Sequence, residues 1–137
     1  MIRRSLVLAA LSVTALTLTA SAAPAKVQQF QSPSHNIGCV MVGSGVRCDI
    51  RNHGWPTPLT PPSCELDYGQ GVQVGKRGRG SYVCAGDTTL GQGSVLAYGD
   101  RIGNKRFRCA SKPKGMRCVN RKNKHGFFLS SQEVRLF

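Results

Sequence analysis

Carboxylates are scarce in this chain: 6 Asp and Glu stand against 19 Lys and Arg in 137 residues. So few acids leave little material for the paired carboxylates of a glycosidase. Asp67 and Asp87, in the turn-like Asp67-Tyr68-Gly69 and Gly86-Asp87, are the one local pair in reach. Long apolar runs are also lacking. The stretch Leu6 to Leu18, itself broken by Ser and Thr, falls short of the roughly 20 residues a membrane-crossing helix needs, so no transmembrane span is expected. No segment keeps an apolar stripe at helical spacing. A Gly-x-Ser-x-Gly elbow, a His-Glu-x-x-His helix and a Walker loop are all absent. Gly75-Lys76-Arg77-Gly78 lacks the strand–loop–helix setting of a phosphate loop. Aromatics make up 7% of the chain, too few beside the basic segment described below to stack the bases of a single strand.

What the N-terminus does contain is the three-part pattern of a signal peptide. Arg3 and Arg4 precede the apolar stretch, and Ala20-Ser21-Ala22 supplies the small-residue cleavage site. Residues 1–22 are therefore expected to be removed, with cleavage after Ala25 as the alternative, leaving 23–137 as one secreted domain. Losing Arg3 and Arg4 leaves 17 basic residues against 6 acidic, a net +11. A charge of that size resists compaction and attracts polyanions.

Six cysteines remain in the exported part: Cys39, Cys48, Cys64, Cys84, Cys109 and Cys118. An even count in a small, turn-rich secreted chain points to disulfides. Structural zinc is disfavoured, because paired ligands there are separated by two to four residues and here by eight. Neither a metal nor any other cofactor is expected.

Two of the pairs lie in matching surroundings. Gly45-Val46-Arg47-Cys48-Asp49-Ile50-Arg51 resembles Gly115-Met116-Arg117-Cys118-Val119-Asn120-Arg121, and His53-Gly54-Trp55 is echoed by His125-Gly126-Phe127. One hairpin design used twice accounts for both. With Cys39 opposite Cys48, residues Ile37, Cys39, Met41, Val46, Cys48 and Ile50 share one apolar face, while Asn36, Arg47, Asp49 and Arg51 point away with Val40. The loop is Val42 to Gly45. The same register puts Phe107, Cys109, Met116 and Cys118 inward and Lys112 to Gly115 in the loop. The bridges expected are Cys39–Cys48, Cys109–Cys118 and, by elimination, Cys64–Cys84.

Elsewhere Lys26 to Ser34 reads as an extended lead-in anchored by Phe30. Trp55 to Pro62, with four prolines, can be neither helix nor central strand. It reads as a covering loop, with Trp55 packed over an open end of the sheet rather than docking a partner. Short strands are expected at Val72–Val74, Ser81–Val83, Val95–Tyr98, Phe127–Leu129 and Val134–Phe137. The fold class is all-β, a disulfide-stapled meander of hairpins forming a sandwich or partly open barrel.

Ten Lys or Arg and no acid lie between Arg101 and Gln132. The hairpin register places Arg106, Arg108, Arg117 and Arg121 on one outward face, with Lys112 and Lys114 at the tip. Guanidinium forks on a rigid ribbon suit phosphate or carboxylate recognition, and these six residues form the candidate anion-binding site. His35, His53 and His125 with nearby lysines suggest a nuclease. The equivalent places of His53 and His125 in the two repeats fit a structural role better. No catalytic residue is assigned.

The pattern also resembles a family of small secreted bacterial proteins classed as a domain of unknown function. The matching residues are Ser32-Pro33-Ser34, Asn36-Ile37-Gly38-Cys39, Val46-Arg47-Cys48-Asp49-Ile50, Trp55 and Asp67-Tyr68-Gly69. They continue with Val83-Cys84-Ala85-Gly86-Asp87, Leu96-Ala97-Tyr98-Gly99 and Gly126-Phe127-Phe128-Leu129-Ser130. The resemblance implies secretion and the disulfide framework and brings no activity. Glycine commonly stands in that pattern where this chain has His35, which counts against a shared role for His35.

The functional expectation is a non-enzymatic extracellular binding module for an anionic partner: a wall polymer, an anionic lipid surface, an acidic protein or a nucleic acid. A small secreted hydrolase of ribonuclease type, or a protein inhibitor presenting the Lys112–Gly115 loop, are the alternatives.

Overall fold

The structure, a computed structural model, describes Ala15, residues 18–23 and residues 26–137. Most of the segment read as a signal peptide lies outside the described residues. Among the described residues there are eleven strands and no helix, so no helix is long and apolar enough to cross a membrane.

The first sheet contains β1 (Gln28–Gln31), β2 (Ile37–Val42), β3 (Gly45–Ile50), β4 (Tyr68–Gly75) and β5 (Ser81–Cys84) in meander order. A short β6 (Ser94–Val95) runs parallel along β1. The second sheet repeats the meander with β7 (Arg101–Gly103), β8 (Phe107–Lys112), β9 (Gly115–Asn120), β10 (Gly126–Leu129) and β11 (Val134–Leu136). The repeat visible in the hairpins is thus a repeat of the whole five-stranded unit. Position 39 corresponds to 109 and 48 to 118, an offset of 70 in both.

Alternation explains the layering. In each hairpin every second side chain is apolar, so one face of each sheet is buried against the other. Ile37 pairs with Ile50, Cys39 with Cys48 and Met41 with Val46, as expected. The turns are tighter than the sequence suggested, because Val42 pairs with Gly45 and Lys112 with Gly115. That leaves Gly43-Ser44 and Pro113-Lys114 as two-residue tips. Phe30, Val72 and Val74 join the core from the first sheet, and Phe107, Met116, Phe127 and Leu129 from the second.

All three disulfides have the expected partners: Cys39–Cys48, Cys64–Cys84 and Cys109–Cys118. The two hairpin bridges have Cα–Cα separations of 4.1 Å, the close spacing of a non-hydrogen-bonded antiparallel pair. Opposite Phe107 lies Asn120, which fills the core position that Ile50 fills in the first repeat. Its fully buried amide donates to the carbonyls of Gly75 and Lys76, while Oδ1 accepts from Lys122 N. Every polar atom is therefore satisfied, and the contact ties the sheets together.

The proline-rich segment is neither helix nor strand. Trp55 packs against the core, and its indole N–H donates to Ser130 O across 2.8 Å. Two local expectations need correction. The strand expected at Val95–Tyr98 shortens to Ser94–Val95, since the chain leaves β1 for a turn held by Asp100 N donating to Ala97 O. The edge strand β7 was not foreseen, because Arg101-Ile102-Gly103 is too short to show alternation.

Candidate anion-binding site

The outer faces of the two β-hairpins have the same backbone and opposite electrostatics. In the first repeat, Arg47 Nε and Nη2 donate to the two oxygens of Asp49 at 2.9 and 2.8 Å. Nη1 donates to Asp87 Oδ1 at 2.8 Å, and Nη2 also reaches Asp87 O. Asp49 is 4% exposed. Thr89 N donates to its Oδ2, and Thr89 Oγ1 donates to Gly38 O at 2.6 Å. The segment around Thr89 therefore lies flat on the hairpin, so Asp49 faces outward from the sheet yet is covered. Gly38 permits this approach, because a Cβ there would lie 2.3 Å from Thr89 O. Burial works to lower the Arg47 pKa, but the hydrogen bonds and charges of Asp49 and Asp87 outweigh it and raise the value. The hydrogen bond from Arg47, and then its charge, hold Asp87 below the usual carboxylate range.

The second repeat carries Arg117 at the position of Arg47, Val119 at that of Asp49 and Arg108 at that of Gly38. One negative charge is lost and one positive charge gained on the same small area. Arg108 sits opposite Val119, and Arg117 opposite Ala110 and Phe128. The Arg117 guanidinium lies 4.9 Å from the centre of the Phe137 ring. A concavity of about 590 Å³ opens here, lined by Lys105, Arg108, Arg117, Val119, Arg121, Lys122 and Lys124. Among the described residues, none of these six cations has a carboxylate within ion-pairing distance.

The turn from β9 to β10 fixes three of them. Asn120 Oδ1 accepts from Lys122 N, Asn123 Oδ1 accepts from His125 N, and Lys124 Nζ donates to Arg121 O. Lys124 has φ +67°, a left-handed conformation that costs a lysine about 1 kcal/mol and would suit glycine or asparagine. Among the described residues, His35 is the other non-glycine residue of this kind, with φ +57°. Glycine would adopt this conformation without strain.

Of the six expected site residues, the structure brings Arg108, Arg117 and Arg121 together. Arg106 does not line this concavity, although its carbonyl accepts from Arg121 N at 2.7 Å. Asn104 Oδ1 accepts from both Arg106 N and Phe107 N just before β8 begins. Arg106 lines a neighbouring groove of about 640 Å³ with Lys26, Lys76, Asn104, Lys105 and Lys122. Lys112 lies at the far end of β8, four residues or roughly 13 Å from Arg108, and Lys114 lies in the turn beyond it. They border a small cleft with Ser34, Asn36 and Tyr98.

Sequence reasoning missed Lys105, Lys122 and Lys124, which lie in turns where alternation gives no direction. It also missed Arg101, Phe128 and Arg135. These share the row of Arg117 across the sheet, and Arg135 covers the Phe128 ring at 4.8 Å. The inward positions of Phe127 and Leu129 were the available signal for an outward Phe128.

The rings of His53 and His35 are engaged away from this face. His53 stacks on Trp55 with ring centres 3.5 Å apart, and its Nδ1 is 2.9 Å from Trp55 O. His125 sits half-buried at the opposite end of β10. The echo in sequence is not one in structure, since His53 lies in a loop and His125 in a tight turn. His35 Nδ1 contacts Gln31 Oε1. Asp67 and Asp87 do border one pocket of about 280 Å³, but Arg47 and Asp49 line it with them, and Asp87 is already paired with Arg47.

A family model described as a family of unknown function, DUF6636, matches residues 9–137. The chain belongs to that family. No curated protein and no solved structure matches it.

Proposed function

We propose that this member of a family of unknown function is a secreted, non-enzymatic module that binds an anionic partner through the outer face of its second sheet. The observation that carries the reading is the contrast between the repeats. The arginine that the first repeat neutralises with two carboxylates stands open in the second, among five further cations. Clustered guanidinium and ammonium groups on a disulfide-held ribbon provide charge and rigidity together, so little order has to be imposed on binding. The strained Lys124 supports this, because a costly backbone conformation tends to persist where its side chain is used. Export, expected from the N-terminal pattern, agrees with three disulfides.

A nuclease reading has less support, since the rings of His53 and His35 are held locally by Trp55 and Gln31. The inhibitor reading has less as well, because the Lys112–Gly115 tip closes as a tight two-residue turn on a ladder rung, with no extended loop to present. The test is binding to duplex DNA, used as a polyanion of known charge density, across a salt series. Affinity that falls steeply as salt rises supports the proposal. No binding at physiological ionic strength removes it.

A further inference from the structure

We infer that the ligand of Arg117 is the carboxylate of an acidic peptide segment, taken up in trans as the first repeat takes up Asp49 and Asp87 in cis. This rests on the anion-binding reading and narrows it to a ligand class. The internal duplication supplies the reasoning. Arg47 and Arg117 occupy the same rung of the same bridged hairpin, Arg47 opposite Val40 and Arg117 opposite Ala110. The first repeat demonstrates what such an arginine holds when a chain lies across the face. It holds a bidentate carboxylate, a second carboxylate and a backbone carbonyl, all within 2.9 Å.

The second repeat keeps the fork and removes the internal partner. Val119 replaces the bidentate carboxylate, and among the described residues no segment covers Arg117 as the one around Thr89 covers Arg47. Arg108, in place of the glycine that lets the internal segment approach, adds a second guanidinium beside Arg117. Phe137 beneath Arg117 holds the guanidinium in a plane, which favours two parallel hydrogen bonds to one carboxylate. An extended acidic peptide brings such carboxylates together with backbone carbonyls, the two groups that Arg47 already binds.

The substitution that tests this copies the first repeat into the second. Val119→Asp places a carboxylate where Asp49 stands relative to Arg47, so the Arg117 fork closes on its own chain. Binding of a labelled oligo-aspartate peptide to the full mature chain should then fall about tenfold or more. Gln132→Glu, which adds the same charge in a remote turn, should change it less than twofold. Arg117→Lys, an exposed change that preserves charge and leaves folding intact, should also cost about tenfold because it loses the fork.

Equal losses from Val119→Asp and Gln132→Glu, with Arg117→Lys unchanged, would mean that net charge alone binds and would overturn the inference. So would a parent protein that binds duplex DNA but not oligo-aspartate at the same ionic strength, while the anion-binding reading would survive. Binding to neither probe would end both.

Discussion

Cys48 Sγ lies 3.9 Å from Cys118 Sγ, so the bridges of the two repeats touch at the centre of the sandwich. Both sulfurs are oxidised and fully buried, and the contact is one of packing. Each hairpin staple is therefore also a piece of the core. The third bridge differs, since Cys84 is exposed at the end of β5 and Cys64 lies in the covering loop.

Removing a bridge should accordingly have two different costs. Replacing Cys64 and Cys84 by alanine should cost about 3 kcal/mol, the loop-closure contribution alone. Replacing Cys39 and Cys48 should cost more than the about 2.7 kcal/mol of their loop, because a buried cavity is added. Removing both hairpin bridges should be non-additive by at least about 0.5 kcal/mol, as expected of groups in contact. Denaturant unfolding of the three variants and the combination measures this. Simple additivity would mean that the two repeats stabilise themselves independently.

The equivalent arginines should separate stability from binding. Arg47→Ser should destabilise by about 3 kcal/mol, because buried Asp49 is left with an uncompensated charge. Arg117→Ser should stay within about 0.5 kcal/mol, since its group is exposed and, among the described residues, makes no ion pair. Equal effects in thermal or urea unfolding would contradict the assignment of one as structural and the other as open.

Asp87 adds an acid-sensitive contribution to stability, a small one because its side chain is 82% exposed. Its folded pKa is depressed below the ordinary 3.8, so its contribution is fully present above that value and is lost as pH falls through the folded pKa. Stability measured between neutral and acid pH should therefore decline below about pH 4. Asp87→Asn should flatten that part of the curve. An unchanged acid slope in the variant would show that the Arg47–Asp87 bond contributes nothing to it.

Much of the fold was legible because alternation and cysteine spacing coincide in two places. The Ile37–Ile50 and Cys109–Cys118 registers follow from requiring bridges and apolar side chains to share a face. The site was legible on and next to strands, where Arg108, Arg117 and Arg121 keep period two. Arg106 stays opposite Arg121 but lines the neighbouring groove, and the Asn104 turn before it leaves no periodic trace. Asp49 was read as solvent-facing because nothing local shows that residues near Thr89, 40 positions on, return to cover it. Asn120 in a core position was likewise opaque, since its partners are carbonyls on β4 and the turn after it.

The central claim is that one face, not the overall charge, binds anions. The most direct measurement compares duplex-DNA binding across a salt series for Arg108→Ser/Arg117→Ser and for Arg51→Ser/Arg77→Ser, two exposed arginines on the first repeat. Both variants lose two positive charges. The expected result is that the first pair loses affinity and reduces the slope of log affinity against log salt by about two, while the second leaves the slope nearly unchanged. Equal losses and equal slopes from the two pairs would contradict the claim.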